Sequence, residues 1–177
     1  MPIRELKVED IETIVQFWWD LQQINYGFDE RYYELTSKED ALAYKKEYYE
    51  AMMGNPFFFP IVIETDEGKV IGYMITEIKE REPFYKAAKI ARIREVFLLP
   101  ESQGKGYFST AYQKIMQFLK EHKIELIDAE IDLSNPALAK YYKVNLYKRA
   151  FRLICWVSDT EDYFKKKEEK KIRKQKK

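Results

Sequence analysis

Apolar residues recur at helical spacing from Ile11 onward. Ile11, Ile14, Val15, Trp18, Leu21 and Ile24 fall on one face, Asp10 stands where a cap is needed, and Gly27 offers a stop. Ser37 with Asp40 makes a capping-box-like start for a second helix that reaches about Met53, with Gly54 after it. Ahead of both, Ile3–Val8 alternates weakly and reads as a short strand. Asn55-Pro56 opens a strand over Phe57–Glu64, Asp66-Glu67-Gly68 is a hairpin turn, and Val70–Lys79 pairs back. Ala88–Leu99 is a long strand rich in Ile, Val and Phe that stops at Pro100. Glu101–Gly106 is a turn, and a third helix follows with a stripe of Phe108, Ala111, Tyr112, Ile115, Met116 and Leu119. His122 falls in its last turn and reads as a dipole partner. Ile124–Leu133 alternates in part, with Leu126, Ala129 and Ile131 against Asp128, Glu130 and Asp132. Asn135 then caps a helix with Pro136 at its first position, running to about Leu146. Ala150–Val157 is a final strand, and Thr160, Tyr163 and the Lys-rich end suggest a last helix that frays.

The element order is therefore βααβββαβαβ plus a tail. Strand–helix alternation in the second half argues for parallel pairing there, and the hairpin argues for antiparallel pairing in the first. The fold class is α/β, with a mixed, mostly antiparallel central sheet and flanking helices. A length of 177 residues suits one domain, expected over 1–160, with 161–177 as a basic tail or frayed helix.

Composition narrows the chemistry. One cysteine, Cys155, rules out an internal disulfide framework, and a sole histidine, His122, rules out His-rich metal sites, so no metal is expected. Cys155 sits in an apolar strand and reads as an inert buried thiol. The start carries no basic-then-apolar leader, and the most apolar run, Phe57–Ile63, is short and contains Pro60, so no membrane partner is expected and a cytoplasmic protein is the simplest reading. Net charge is +1, yet Lys165–Lys177 holds nine Lys/Arg and two Glu, which leaves the body at −6. A basic tail can meet nucleic acid, but a nucleic-acid domain carries its basic stripe on the fold, and this body does not.

The turn at Gln103-Gly104-Lys105-Gly106 is the richest local signal. A strand that feeds a glycine-containing turn into a helix start leaves backbone N–H groups facing outward, where the helix dipole favours an anion. Lys105 adds a cation. Neither the G-x-x-x-x-G-K-[ST] nor the G-x-G-x-x-G pattern is present. On chemistry alone, an ordinary glycine-rich turn stands equal to a pyrophosphate site.

Gln103-Gly104-Lys105-Gly106-Tyr107-Phe108 resembles the Q/R-x-x-G-x-G/A signature of the GNAT N-acetyltransferase superfamily. Asn135–Tyr147 resembles that family's second signature, an Asn-started helix with a tyrosine seven positions on, here Tyr142. Phe108 departs from the family's Gly or Ala, and Leu146 from the Gly that usually precedes the aromatic position, here Tyr147. The resemblance implies a GNAT-like fold with splayed parallel strands at an acyl-CoA site, and acetyl-CoA (coenzyme A) as the cofactor. It implies that the backbone of Gln103, Gly104, Lys105, Gly106, Phe108 and Ser109 holds the pyrophosphate. Backbone groups of Val96 and Leu98 would hold the thioester carbonyl and pantetheine arm, with Asn135 on the pantetheine and Tyr142 facing the thioester.

An attacking lysine-like amine, of pKa about 10.4, must lose a proton, a departing thiolate needs one, and the oxyanion between them needs N–H donors. The corresponding candidates are Glu130 as base, Tyr142 as acid and the Val96 N–H as oxyanion donor. Glu130 is alternatively a salt-bridged strand residue, and Tyr141 competes with Tyr142. By family analogy the acceptor, a small-molecule or peptide amine, meets the first two helices and nearby loops. These carry Trp18, Trp19, Tyr26, Phe28, Tyr32, Tyr33, Asp29, Glu30 and Glu34, a wall suited to a cationic amine, with plain core packing as the alternative for the Trp pair. A homodimer is also open. The alternatives are a module that senses acyl-CoA without turnover, and a nucleic-acid partner using Lys165–Lys177.

Overall fold

The computed structural model describes residues 2–143 and 146, with 157, 158, 161, 165 and 166 beyond them. The chain divides into two compact units, Met1–Leu146 and Tyr147–Lys177. The first contains β1 (Ile3–Glu5), α1 (Ile11–Tyr26), α2 (Lys38–Met52), β2 (Phe58–Glu64), β3 (Val70–Glu80), β4 (Lys89–Leu98), α3 (Tyr107–Glu121), β5 (Leu126–Ala129) and α4 (Leu138–Lys143). The strands lie in the order β1-β2-β3-β4-β5. The first three pairings are antiparallel and β4–β5 is parallel. The sheet is mixed and mostly antiparallel, with helices at its faces, as the alternation of elements predicts.

Strand alternation sends side chains to two cores. Tyr73, Ile75 and Phe97 pack with Ile11, Ile14 and Val15 of α1 and with Tyr49 and Met52 of α2. Met74, Ile78, Ala91 and Ile93 pack with Ala111, Ile115 and Leu119 of α3. β3 is covered on both faces, which is why its sequence is nearly continuously apolar.

Several expectations need correction. β1 ends at Glu5, because the chain turns into a 3-10 segment at Val8–Asp10 and leaves Val8 exposed. Asp10 does not cap α1 with its side chain. Its carboxylate accepts from the Lys7 N–H at 2.8 Å and from Arg4 at 2.7 and 2.9 Å, which ties that turn to β1. Ser37 does cap α2, its Oγ accepting from the Asp40 N–H at 3.1 Å. Ile24 and Met116 are exposed. The arc of α1 that meets the sheet ends with Leu21, and Met116 lies one residue off the buried arc of α3. Leu126 shares the face of Asp128, so Ile127, Ala129 and Ile131 turn toward α3 instead. α4 starts at Leu138 rather than at Pro136. Asn135 caps a preceding turn, its Oδ1 accepting from Ala137 at 2.9 Å and its carbonyl from Leu138 at 3.0 Å.

The expected strand over 150–157 lies outside the described residues except for Val157. That residue, like Ser158, Glu161, Lys165 and Lys166, is helical. Cys155, Tyr147 and most of the Lys-rich tail also lie outside the described residues, as do residues 159 and 160, where the expected domain boundary falls.

Candidate functional site

The site begins with a defect in β4. Ile75 stands opposite Glu95 and Thr76 opposite Ile93, so Arg94 has no register partner on β3 and forms a β-bulge. The parallel pairing with β5 runs from Ile90↔Leu126 to Ile93↔Ala129 and stops there, while β4 continues to Leu98. Past the bulge, the β5 side of β4 is open among the described residues. Leu99 donates to the Ile71 carbonyl at 2.9 Å, so by antiparallel alternation Phe97 and Glu95 direct their backbone groups to β3. The N–H and C=O groups of Val96 and Leu98 therefore face the opening. The Leu98 carbonyl accordingly accepts from Gln103 Nε2 at 3.1 Å. Gly72 lets β3 approach this segment closely, since a Cβ there would sit 2.5 Å from the Phe97 carbonyl oxygen.

The turn follows directly. Pro100–Ser102 makes one 3-10 turn, and the Gln103 N–H donates to the Pro100 carbonyl at 3.1 Å, so the outward donors begin one residue later. Gly104 and Gly106 have φ of 79° and 88°. A Cβ at either would meet nothing within 4 Å, so it is the backbone angle that calls for glycine. Thr110 donates to Gly106 at 3.1 Å and begins the hydrogen bonding of α3. The N–H groups of Gly104 through Ser109 meet no protein acceptor among the described residues. They gather at the positive end of a 15-residue helix beside an exposed Lys105, a donor set that fits a diphosphate.

Phe108 turns inward despite its departure from the family pattern. Its ring stacks on Tyr112 at 5.9 Å and meets Tyr141 edge-on at 5.6 Å. This contact joins α3 to α4 and leaves the Phe108 N–H in the turn. Tyr141 is a core residue, and burial, with Tyr112 nearby, pushes its phenol up to about 12. Tyr142, the next residue, is 41% exposed. The two tyrosines thus divide, one holding α4 against the core and the other reaching solvent. The Asn135 amide oxygen is engaged by its own turn, as described above.

Glu130 lies just past the end of β5, exposed, on the side of the sheet that Asp128 occupies. Asp128 pairs with Arg92 at 2.9 and 2.6 Å, and this pairing, with Asp128 and Glu130 near, raises the guanidinium pKa. Tyr33, in the loop between α1 and α2, has its phenol pKa raised by burial first, then by Asp132, with Tyr32 and Glu130 adding to it. That loop, which also carries Asp29, Glu30 and Glu34, therefore reaches the end of β5. Trp18 lies near Lys45 and Trp19 under Lys38, each ammonium 5.2 Å from its ring centroid. His122 is held by its own helix, Nδ1 lying 2.8 Å from the Phe118 carbonyl. Among the described residues, no His, Cys, Asp or Glu group is arranged to hold a metal, and no helix is long and apolar enough to cross a membrane.

Sequence reasoning missed a cluster on the α1/α2 face. Glu95, next to Val96, pairs with Lys45 of α2 and accepts from Tyr49 at 2.5 Å and from Tyr73 at 3.2 Å. Two signals could have found it. Glu95 breaks the every-other series Ala91, Ile93, Phe97, and Lys45 falls in the stripe Ala41, Lys45, Tyr49, Met52, where α2 is otherwise apolar.

A model of the acetyltransferase (GNAT) family matches residues 15–146. No curated protein sequence matches the chain. Among solved structures, a tetramutant of the BH1408 protein of Bacillus halodurans has a TM-score of 0.75 at 18% identity, covering 88% of this chain and 100% of that one. A predicted acetyltransferase of Clostridium acetobutylicum, solved with acetyl-CoA, has a TM-score of 0.69 at 17% identity over 89% of this chain and 97% of that one. Glucosamine-6-phosphate N-acetyltransferase of Arabidopsis thaliana has a TM-score of 0.64 at 14% identity over 88% and 97%. These three likenesses are likenesses of fold.

Proposed function

Because the chain belongs to the GNAT acetyltransferase family, we propose that it moves an acetyl group from acetyl-CoA to a primary amine by direct attack in a ternary complex. The observation that carries this reading is the run of N–H groups from Gly104 to Ser109 without acceptors among the described residues, beside a β4 edge at Val96 and Leu98 that is open among those residues. The fold relative solved with acetyl-CoA adds support for the cofactor.

The turn's amides and Lys105 bind the diphosphate, while the backbone of Val96 and Leu98 lines the pantetheine arm and Asn135 borders it. Gln103 contributes its side chain by fixing the Leu98 carbonyl, since its own N–H is already used. Bound there, the thioester supplies an electrophilic acetyl carbon. The Val96 N–H donates to the carbonyl oxygen as negative charge builds on it. Glu130 removes one proton from the incoming ammonium, the freed amine forms the C–N bond, and as the C–S bond breaks Tyr142 gives its proton to the departing sulfur and regains one from the acylated nitrogen.

The acceptor is a cationic amine. Glu130, Asp132 and Tyr33 come together at the end of β5, and the loop bearing Tyr33 brings Asp29, Glu30 and Glu34 with it. Carboxylates beside aromatic rings hold ammonium groups well. Thiol release from acetyl-CoA, measured against polyamines, aminoglycosides, amino acids and peptides, tests this reading. Acceptor-dependent release is expected, with the pH–rate profile of Glu130→Gln moved upward in pH. Tight coenzyme binding with no release for any amine would make the protein an acyl-CoA sensor instead.

A further inference from the structure

The buried cluster around Glu95 has no role in the chemistry above, and its position calls for one. Lys45 and Glu95 keep only 9% and 12% of their side-chain surface in water. The Lys45 ammonium lies 5.2, 4.5 and 4.8 Å from the ring centroids of Trp18, Tyr48 and Tyr49. One carboxylate oxygen of Glu95 takes Lys45, and the other takes Tyr49 and Tyr73, whose hydroxyls are also 3.3 Å apart. Burial first, then the neighbouring phenol and carboxylate, pushes Tyr49 far above its usual range. Burial and Glu95 do the same to Tyr73, so both remain protonated donors. Groups from α2 and β3 thus fix one carboxylate of β4.

Stability alone is a poor reason for such an arrangement. A buried ion pair is often matched or bettered by apolar side chains of the same volume, and Lys45 occupies a stripe where an apolar residue would fit. What distinguishes the location is the bulge. Arg94 has no register partner on β3, so the ladder is interrupted immediately before Glu95. The first peptide unit after the interruption joins Glu95 to Val96. Its carbonyl faces β3 and its N–H faces the opening, because the two groups of one peptide point in opposite directions. Fixing the Glu95 side chain fixes one end of that unit, and with it the direction of the Val96 N–H.

We propose that Lys45, Tyr49 and Tyr73 are positioning residues that hold Glu95 so that the peptide after the bulge aims the Val96 N–H at the acyl carbonyl. This rests on the acetyl-transfer reading. It gives the ion pair a task that a merely apolar core would not perform, since an oxyanion donor is sensitive to displacements well below the size of an atom.

The test compares Lys45→Met, Lys45→Arg and Tyr49→Phe with the unaltered protein. For Lys45→Met, kcat is expected to fall at least about tenfold while coenzyme A affinity stays within about twofold, because the turn is untouched. Lys45→Arg keeps the charge and should recover most of the rate. If Lys45→Met does not fold, Tyr49→Phe removes one donor and keeps the ring, and a loss of a few-fold in kcat at unchanged coenzyme affinity is expected. A readout without substrate separates this proposal from the transfer reading. The backbone amide resonance of Val96 should shift in Lys45→Met or Tyr49→Phe and return in Lys45→Arg. A Val96 resonance that ignores these changes, or an unchanged kcat in a folded variant, would overturn the proposal. A moved resonance with no thiol release for any amine would instead sink the transfer reading.

Discussion

The turn at Gln103–Ser109 and the face beneath α1 and α2 are made of opposite materials. At the turn the working groups are main-chain amides, all supplied by one short segment and oriented by two glycines in left-handed conformation. On the α1/α2 face they are side chains drawn from distant parts of the chain: Trp18, Lys45, Tyr49, Tyr73 and Glu95, with Tyr33 and Asp132 at the strand end. An amide cradle reads a shape common to every diphosphate, whatever side chains surround it. A face of side chains can be altered residue by residue. The difference teaches that the turn depends on backbone conformation, whereas the buried cluster depends on which side chains are present.

The two regions should therefore fail differently when altered. The largest effect is expected at the turn. Gly106 has φ of 88°, so Gly106→Val forces a β-branched residue into the left-handed region at a cost of about 1–2 kcal/mol, and it disturbs several amides together. Coenzyme A affinity, followed by titration calorimetry, should drop about a hundredfold, the equivalent of roughly two charge-assisted hydrogen bonds. Unchanged affinity would mean that the cradle is not where the coenzyme sits.

An effect of similar size, on rate and not on binding, is expected at α4. Tyr142→Phe should lower kcat by about a hundredfold and leave coenzyme affinity intact, whereas Tyr141→Phe should cost only a few-fold in rate, because that phenol is buried in the core. Stopped-assay kinetics with calorimetry would separate the two, and the reverse ranking would transfer the acid role to Tyr141.

The smallest effect is expected remote from both regions. Arg4 holds the Asp10 carboxyl below the usual carboxylate range by hydrogen bonding, aided by the Lys7 N–H and opposed by burial. A depressed carboxyl stabilises the fold above its unfolded pKa of about 3.9, and that stability is lost as pH falls through the folded value. Asp10→Asn should thus cost roughly 1–2 kcal/mol in urea melts at pH 7 and progressively less in acid, with coenzyme affinity unchanged. A penalty that persists undiminished in acid would assign the loss to packing.

The same contrast explains what was legible in the sequence. The turn was readable because glycines, a preceding proline and a following helix lie within one short stretch. The order of elements was readable because period-two and helical patterns are local. Boundaries slipped where tertiary contacts decide them: β1 ends early because Arg4 and Asp10 bind one another, and α4 starts late because Asn135 closes its own turn first. The β4 bulge was invisible because a bulge is a property of two paired strands. Lys45 and Glu95 were overlooked because they are 50 residues apart and each looks like a surface charge by itself. Periodicity suggested that something was wrong with that view, since Lys45 stands in the apolar stripe of its helix.

The central claim is that main-chain amides between β4 and α3 grip the coenzyme. Amide hydrogen exchange, followed residue by residue during titration with coenzyme A, tests it most directly. Exchange at Gly104 through Ser109 should slow by at least about tenfold at saturation, while amides of α2 around Lys45 stay unchanged. Saturable binding that protects some other segment and leaves this one exchanging freely would contradict the account.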